Sequence, residues 1–69
     1  MKTEIYDADP FTNNKTEHFT TLDTDYRFEP RDEFFVTKKD GERIKVRVTY
    51  VRLEVTASGL ERELIVMKL

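Results

Sequence analysis

Sixty-nine residues make one domain, near the lower size at which a chain folds without covalent or metal staples. The absence of cysteine excludes disulfides and thiolate metal sites, and no apolar run is long enough to cross a bilayer as a helix. Charged residues are 38% of the chain, but aromatics reach 12%, and that aromatic content argues against disorder; the lack of a secretory apolar core argues for a soluble cytoplasmic protein.

The net charge of −2 is unevenly spread. Residues 1–33 hold nine acids and four bases, whereas residues 34–69 hold five acids and eight bases. The basic half points to a face that meets phosphate or an acidic protein. An ordinary solvated surface is the plainer reading.

In chain order, residues 2–6 predict a short strand. Residues 7–14 predict a loop punctuated by Pro10, with Asp9-Pro10 resembling an N-cap and first helical position. The threonine-rich residues 15–22 predict a strand, and residues 23–25 a turn. Residues 26–28 are short and aromatic, and Pro30 stops any ladder there.

A long hairpin follows, with strands predicted over 33–38 and 42–56. Asp40-Gly41 marks its turn. A two-residue loop would mix apolar and charged residues on each face. A three-residue loop over 39–41 places Gly41 in the left-handed position and pairs Lys38 with Glu42. Phe34, Val36, Ile44, Val46 and Val48 then share one face, and Phe35, Thr37, Arg43, Lys45 and Arg47 the other. A slip of one residue would invert every side chain, so the three-residue loop is the expected register.

In the returning strand the apolar positions change from even to odd after Tyr50, which predicts a bulge near Tyr50-Val51. Residues 57–59 predict a loop, 60–63 a loose helical turn, and 64–69 a buried final strand. About five strands, with at most one or two helical turns, give a small, mainly β, partly closed barrel. The core is expected from Phe11, Phe19, Tyr26, Phe28, Phe34 and Tyr50. Exposure of several of these would point instead to a partner surface or an oligomer. The oligomeric state is left at monomer or weak dimer, according to whether the last strand closes the barrel or pairs with a second copy.

The run DYRFEPRDEFFV, the strand Val46-Arg47-Val48-Thr49-Tyr50-Val51, Gly59-Leu60 and Val66-Met67 together resemble the ASCH/PUA-like superfamily. The likeness is to a small branch common in phages and bacterial mobile elements, and it spans residues 15–69. It implies a PUA-like barrel and, because such relatives often bind RNA, a nucleic-acid partner. Two departures stand out. The family's Gly before the strand-opening Asp is Arg31 here. Its Lys-x-x-Glu-x-Arg cleft signature would start at Lys15, but meets His18 and Thr20 in place of Glu and Arg.

Lys38, Lys39, Arg43, Lys45 and Arg47, with Arg52 at the margin, are the candidate nucleic-acid contacts. Spaced bases neutralise phosphates, and Phe35 offers a ring for unpaired bases. The same charges also serve to guard exposed strands. Lys15, Glu17 and His18 are the cleft candidates for acid–base work, and through the resemblance for a residual nucleoside amidohydrolase. No metal site or cofactor is expected; Asp7, Asp9, Asp23 and Asp25 lack calcium-loop spacing. The expected function is a non-enzymatic RNA- or other nucleic-acid-binding domain. An accessory protein that binds a host protein is the alternative.

Overall fold

The computed structural model describes every residue except Pro10 and Asn13, so the helical start expected at Asp9-Pro10 lies outside the described residues. Five strands and no helix are present among them: β1 Lys2–Ala8, β2 Lys15–Asp23, β3 Glu33–Thr37, β4 Arg43–Thr56 and β5 Gly59–Lys68. They form one curled mixed sheet in the order β2-β1-β5-β4-β3, a half-barrel. β5 runs parallel to β1, and the other pairings are antiparallel.

The β3–β4 hairpin takes the predicted register, with Phe34 opposite Val46 and Val36 opposite Ile44. Lys38 N–H donates to Glu42 O at 2.7 Å, Gly41 N–H donates to Lys38 O at 2.9 Å, and Gly41 has φ +91°. Only a residue without Cβ takes that conformation at no steric cost. The predicted bulge is one residue earlier, at Thr49: Val48 faces Val66 and Tyr50 faces Ile65. The Thr49 hydroxyl donates to Ile65 O at 2.9 Å. Two more irregularities in β2, at Thr16 and Phe19, add to the curl, because each extra residue bends its strand.

Two local expectations are corrected. Residues 60–63 are strand, since Leu60, Glu61, Arg62 and Glu63 pair with β4. β1 continues through Asp7 and Ala8, which pair with β2. Residues 26–28 belong to no strand, as Pro30 implies.

The core is aliphatic more than aromatic. Ile5, Phe19, Val36, Val46, Val48, Leu64 and Val66 are buried together, with Leu22, Phe28, Phe34, Ile44 and Val51 packed around them. Each large side chain fully buried contributes about 1.5–3 kcal/mol. β5 is the spine of the sheet. Its run Leu64-Ile65-Val66 is buried on both faces, with Ile65 lying between Tyr6 and Tyr50 in register. A strand paired on both sides and covered on both faces requires such an unbroken apolar run. Of the six aromatics expected inside, Phe19 is buried and Phe28 and Phe34 are partly so. Phe11, Tyr26 and Tyr50 are exposed, at 94%, 60% and 38%.

Residues 24–32 pass from the β2 edge to the β3 edge on the core side. Arg62, a buried cation on β5, pins them. Its Nη1 donates to Tyr26 O at 2.7 Å, its Nη2 to Thr24 O at 3.1 Å and its Nε to Thr3 Oγ1 at 3.0 Å. At the far end of this segment, Arg31 N–H donates to Val48 O and Val48 N–H to Asp32 O, both at 2.8 Å.

Candidate functional site

Because side chains alternate along a strand, the register that buries Phe34 and Val36 presents Glu33, Phe35 and Thr37 on the outer face. Arg47, Lys45 and Arg43 stand opposite them. Phe35 is 54% exposed, and the Arg43 guanidinium lies 3.8 Å from its ring centroid. This cation–π contact holds a planar cation on an exposed ring. Lys45 sits directly across from Phe35. Arg47 donates to Glu33 Oε2 from Nε at 3.2 Å and from Nη2 at 2.9 Å, and Lys45 Nζ lies 3.5 Å from Glu33 Oε1. The hydrogen bond from Arg47, helped by the nearby charge of Lys45, holds the Glu33 carboxyl below its ordinary range. One carboxylate thus serves two bases, and Arg43 has no acidic partner among the described residues. Met67 faces Arg47 in register, and half-exposed Leu69 donates its N–H to Lys45 O at 3.0 Å. These two extend the face with apolar surface.

The two turn lysines do not join this face. Lys38 reaches the opposite edge of the sheet, with Nζ 2.8 Å from Glu17 of β2 and 3.8 Å from Glu42. The hydrogen bond to Glu17 raises its pKa. Its side chain is 15% exposed, so it bridges the two edges of the half-barrel. Lys39 Nζ lies 3.4 Å from His18 Nδ1. Arg52 stands on β4 beyond the bulge, 3.8 Å from Glu63.

The cleft candidates Lys15, Glu17 and His18 are held by separate partners. Lys15 Nζ donates to Glu63 Oε2 at 2.7 Å and lies 4.4 Å from the Tyr6 ring centroid. His18 Nε2 meets Glu4 Oε2 at 2.5 Å, and Thr21 Oγ1 donates to the same oxygen at 2.6 Å. The hydroxyl of Thr21, and then His18, lower the Glu4 pKa against the opposing effect of burial. Glu17 turns to Lys38. No pair among Lys15, Glu17 and His18 is in hydrogen-bond contact.

An open groove of about 400 Å³ lies beside β3, lined by Tyr26, Phe28, Phe34, Asp32 and Glu33. Tyr26 and Phe28 meet edge to face at 4.7 Å, Phe34 lies 5.3 Å from Phe28, and Arg62 lies 5.2 Å from Phe28 on its own account. The two carboxylates on its lip disfavour an anion there. Sequence reasoning missed this groove because two of its three rings, Tyr26 and Phe28, come from an irregular segment with no periodicity. Among the described residues no group of three or more His, Asp or Glu side chains could hold a metal ion, and no helix is long and apolar enough to cross a membrane.

No protein-family model, curated protein or solved structure matches this chain. The geometry of its own side chains carries the functional argument.

Proposed function

We propose that this domain binds single-stranded nucleic acid, RNA foremost, on the outer face of β3 and β4, without catalysing a reaction. One observation carries the reading: an exposed ring, Phe35, lies opposite Lys45 and under the cation of Arg43, which has no acidic partner among the described residues. Glu33 is the acidic side chain of the paired β3 and β4 positions. A base stacks on an aromatic face whatever its sequence. Lys45, Arg43 and Arg47 neutralise phosphates on either side. The resemblance to PUA-like proteins favours RNA over DNA. The separate partners of Lys15, Glu17 and His18 favour binding over turnover.

The test is fluorescence anisotropy of a labelled single-stranded RNA titrated with the protein at two salt concentrations. About three phosphate contacts give a log–log salt slope near −2, hence affinity about twenty-fold weaker at ~200 mM than at ~50 mM salt. Phe35→Ala should weaken binding about ten-fold with the slope unchanged. Arg43→Glu should weaken it and flatten the slope. Arg47 is a poor probe, since removing it leaves Glu33 with Lys45 alone. A folded protein that binds no RNA, or binds equally well with both substitutions, would overturn the proposal and favour a protein partner.

A further inference from the structure

The distal half of β4 is an open sheet edge. β3 pairs with β4 only between Arg43 and Arg47, and the backbone bonds from Arg31 and Asp32 stop at Val48. Those bonds fix the direction of the backbone: at Val48 both the N–H and the C=O point away from β5. The extra residue Thr49 resets the alternation, and Tyr50 becomes a hydrogen-bonded position opposite Ile65. Val51, Leu53 and Val55 therefore turn their N–H and C=O outward. Among the described residues no backbone bond reaches them. Their side chains lie on the core side of the sheet, where Leu53, Val55 and the facing Leu60 are 61%, 84% and 42% exposed.

On the outer face of the same stretch, charge is out of balance. Glu54 stands directly opposite Glu61, an unfavourable like-charge pair. Lys2 lies 3.9 Å from Glu61, while Glu54 has no ion-pair partner among the described residues. Arg52, two positions earlier, has a 60% exposed side chain.

We propose that two copies of the chain pair antiparallel along this edge, about a two-fold axis at Leu53. That register sets Leu53 against Leu53 and Val51 against Val55, the residues whose backbone groups face outward. It also sets Arg52 of each copy against Glu54 of the other. These last are non-hydrogen-bonded positions, where side chains come closest. Each Glu54 gains the cation it lacks, and Leu53, Val55 and Leu60 of both copies form one apolar strip. A register shifted by two residues in either direction places Arg52 against itself or Glu54 against itself, so charge selects the alignment. Neither Phe35 nor Arg43 takes part, which keeps pairing separable from nucleic-acid binding.

Sedimentation equilibrium from ~10 µM to ~1 mM tests the pairing. Wild type should show a reversible monomer–dimer equilibrium. Arg52→Glu and Glu54→Arg should each weaken it about thirty-fold, since two attractive cross-strand pairs become repulsive. An equimolar mixture of the two variants should dimerise like wild type, because every Glu then meets an Arg. Leu53→Pro should abolish pairing while leaving the β4–β5 ladder intact, since the N–H it removes faces the open edge. A wild type that stays monomeric over the whole range would overturn the proposal. So would a mixture that associates no better than its components.

Discussion

Arg31 occupies a backbone conformation that suits glycine. Residues 29–32 form a turn closed by Asp32 N–H donating to Glu29 O at 3.1 Å, with Pro30 second and Arg31 third at φ +79°. A turn of this kind needs positive φ at its third residue, where Gly or Asn is usual. A side chain held there costs about 1–2 kcal/mol. Arg31→Gly removes that cost but loosens the unfolded chain by about 0.5–1 kcal/mol. The balance is a gain of about 0.5–1 kcal/mol, or about 2–8 °C in Tm for a domain this small. The Arg31 side chain is exposed, and the bond from its N–H to Val48 O survives the change. Arg31→Ala keeps the Cβ and should stay within about 0.5 kcal/mol of wild type, with Arg31→Asn between the two. Differential scanning calorimetry and urea melts of the three variants read this directly. If the alanine variant gained as much as the glycine variant, the side chain's charge would be the cause, and the backbone argument would fail.

Arg62→Met keeps most of the side-chain volume but drops three hydrogen bonds and leaves the carbonyls of Thr24 and Tyr26 without their donor. The expected loss is about 2 kcal/mol, with faster amide exchange over residues 24–28; a loss below about 0.5 kcal/mol would show that the segment holds itself. The Glu4 carboxyl sits below its ordinary value of 4.5 because Thr21 and His18 donate to it. Its contribution is therefore present above pH 4.5 and disappears as pH falls through the lower folded value. Urea midpoints from about pH 3 to pH 7 should fall less steeply on the acid side for Glu4→Gln than for wild type, and parallel curves would assign the acid sensitivity elsewhere.

The strands and the hairpin register were legible because residues 33–48 alternate cleanly and only the three-residue loop sorts apolar from charged residues onto separate faces. The bulge was legible from the change of parity at Tyr50, and its one-residue offset to Thr49 is within what alternation resolves. Residues 60–63 were misread as helical because Leu60 and Glu63 have helical spacing, while the register of β4 that recruits them is set far away. Phe11, Tyr26 and Tyr50 were misplaced because hydrophobicity does not show that aliphatic β-branched residues already fill a core this small. The basic face was legible in composition and not in its electrostatics. Glu33 shares the parity of Phe35, so the same register that placed Arg47 also places its partner opposite. Lys38 leaves the face for a local reason, since it shares the parity of Phe34 and Val36; only its partner is long-range, because the sheet curls and brings Glu17 of β2 within reach.

That curl divides the edges of the half-barrel into two kinds. At the turn end, β2 and β3 approach each other and are tied by side chains, Lys38 to Glu17 and Lys39 beside His18, so neither offers a free ladder there. At the other end β4 and β5 run on past β1 and β3, and among the described residues no backbone bond ties the outer edge of β4 beyond Val48. Exposed edges are commonly blunted by lysine, proline or repeated like charge. This one carries instead one Arg and one Glu placed symmetrically about a leucine, a sequence that repels few neighbours and complements its own inverted copy. A two-fold axis in an antiparallel pairing stands perpendicular to the sheet. Two copies joined there would turn the Phe35–Arg43 faces to the same side, where one strand of nucleic acid long enough to span both would gain from their linkage.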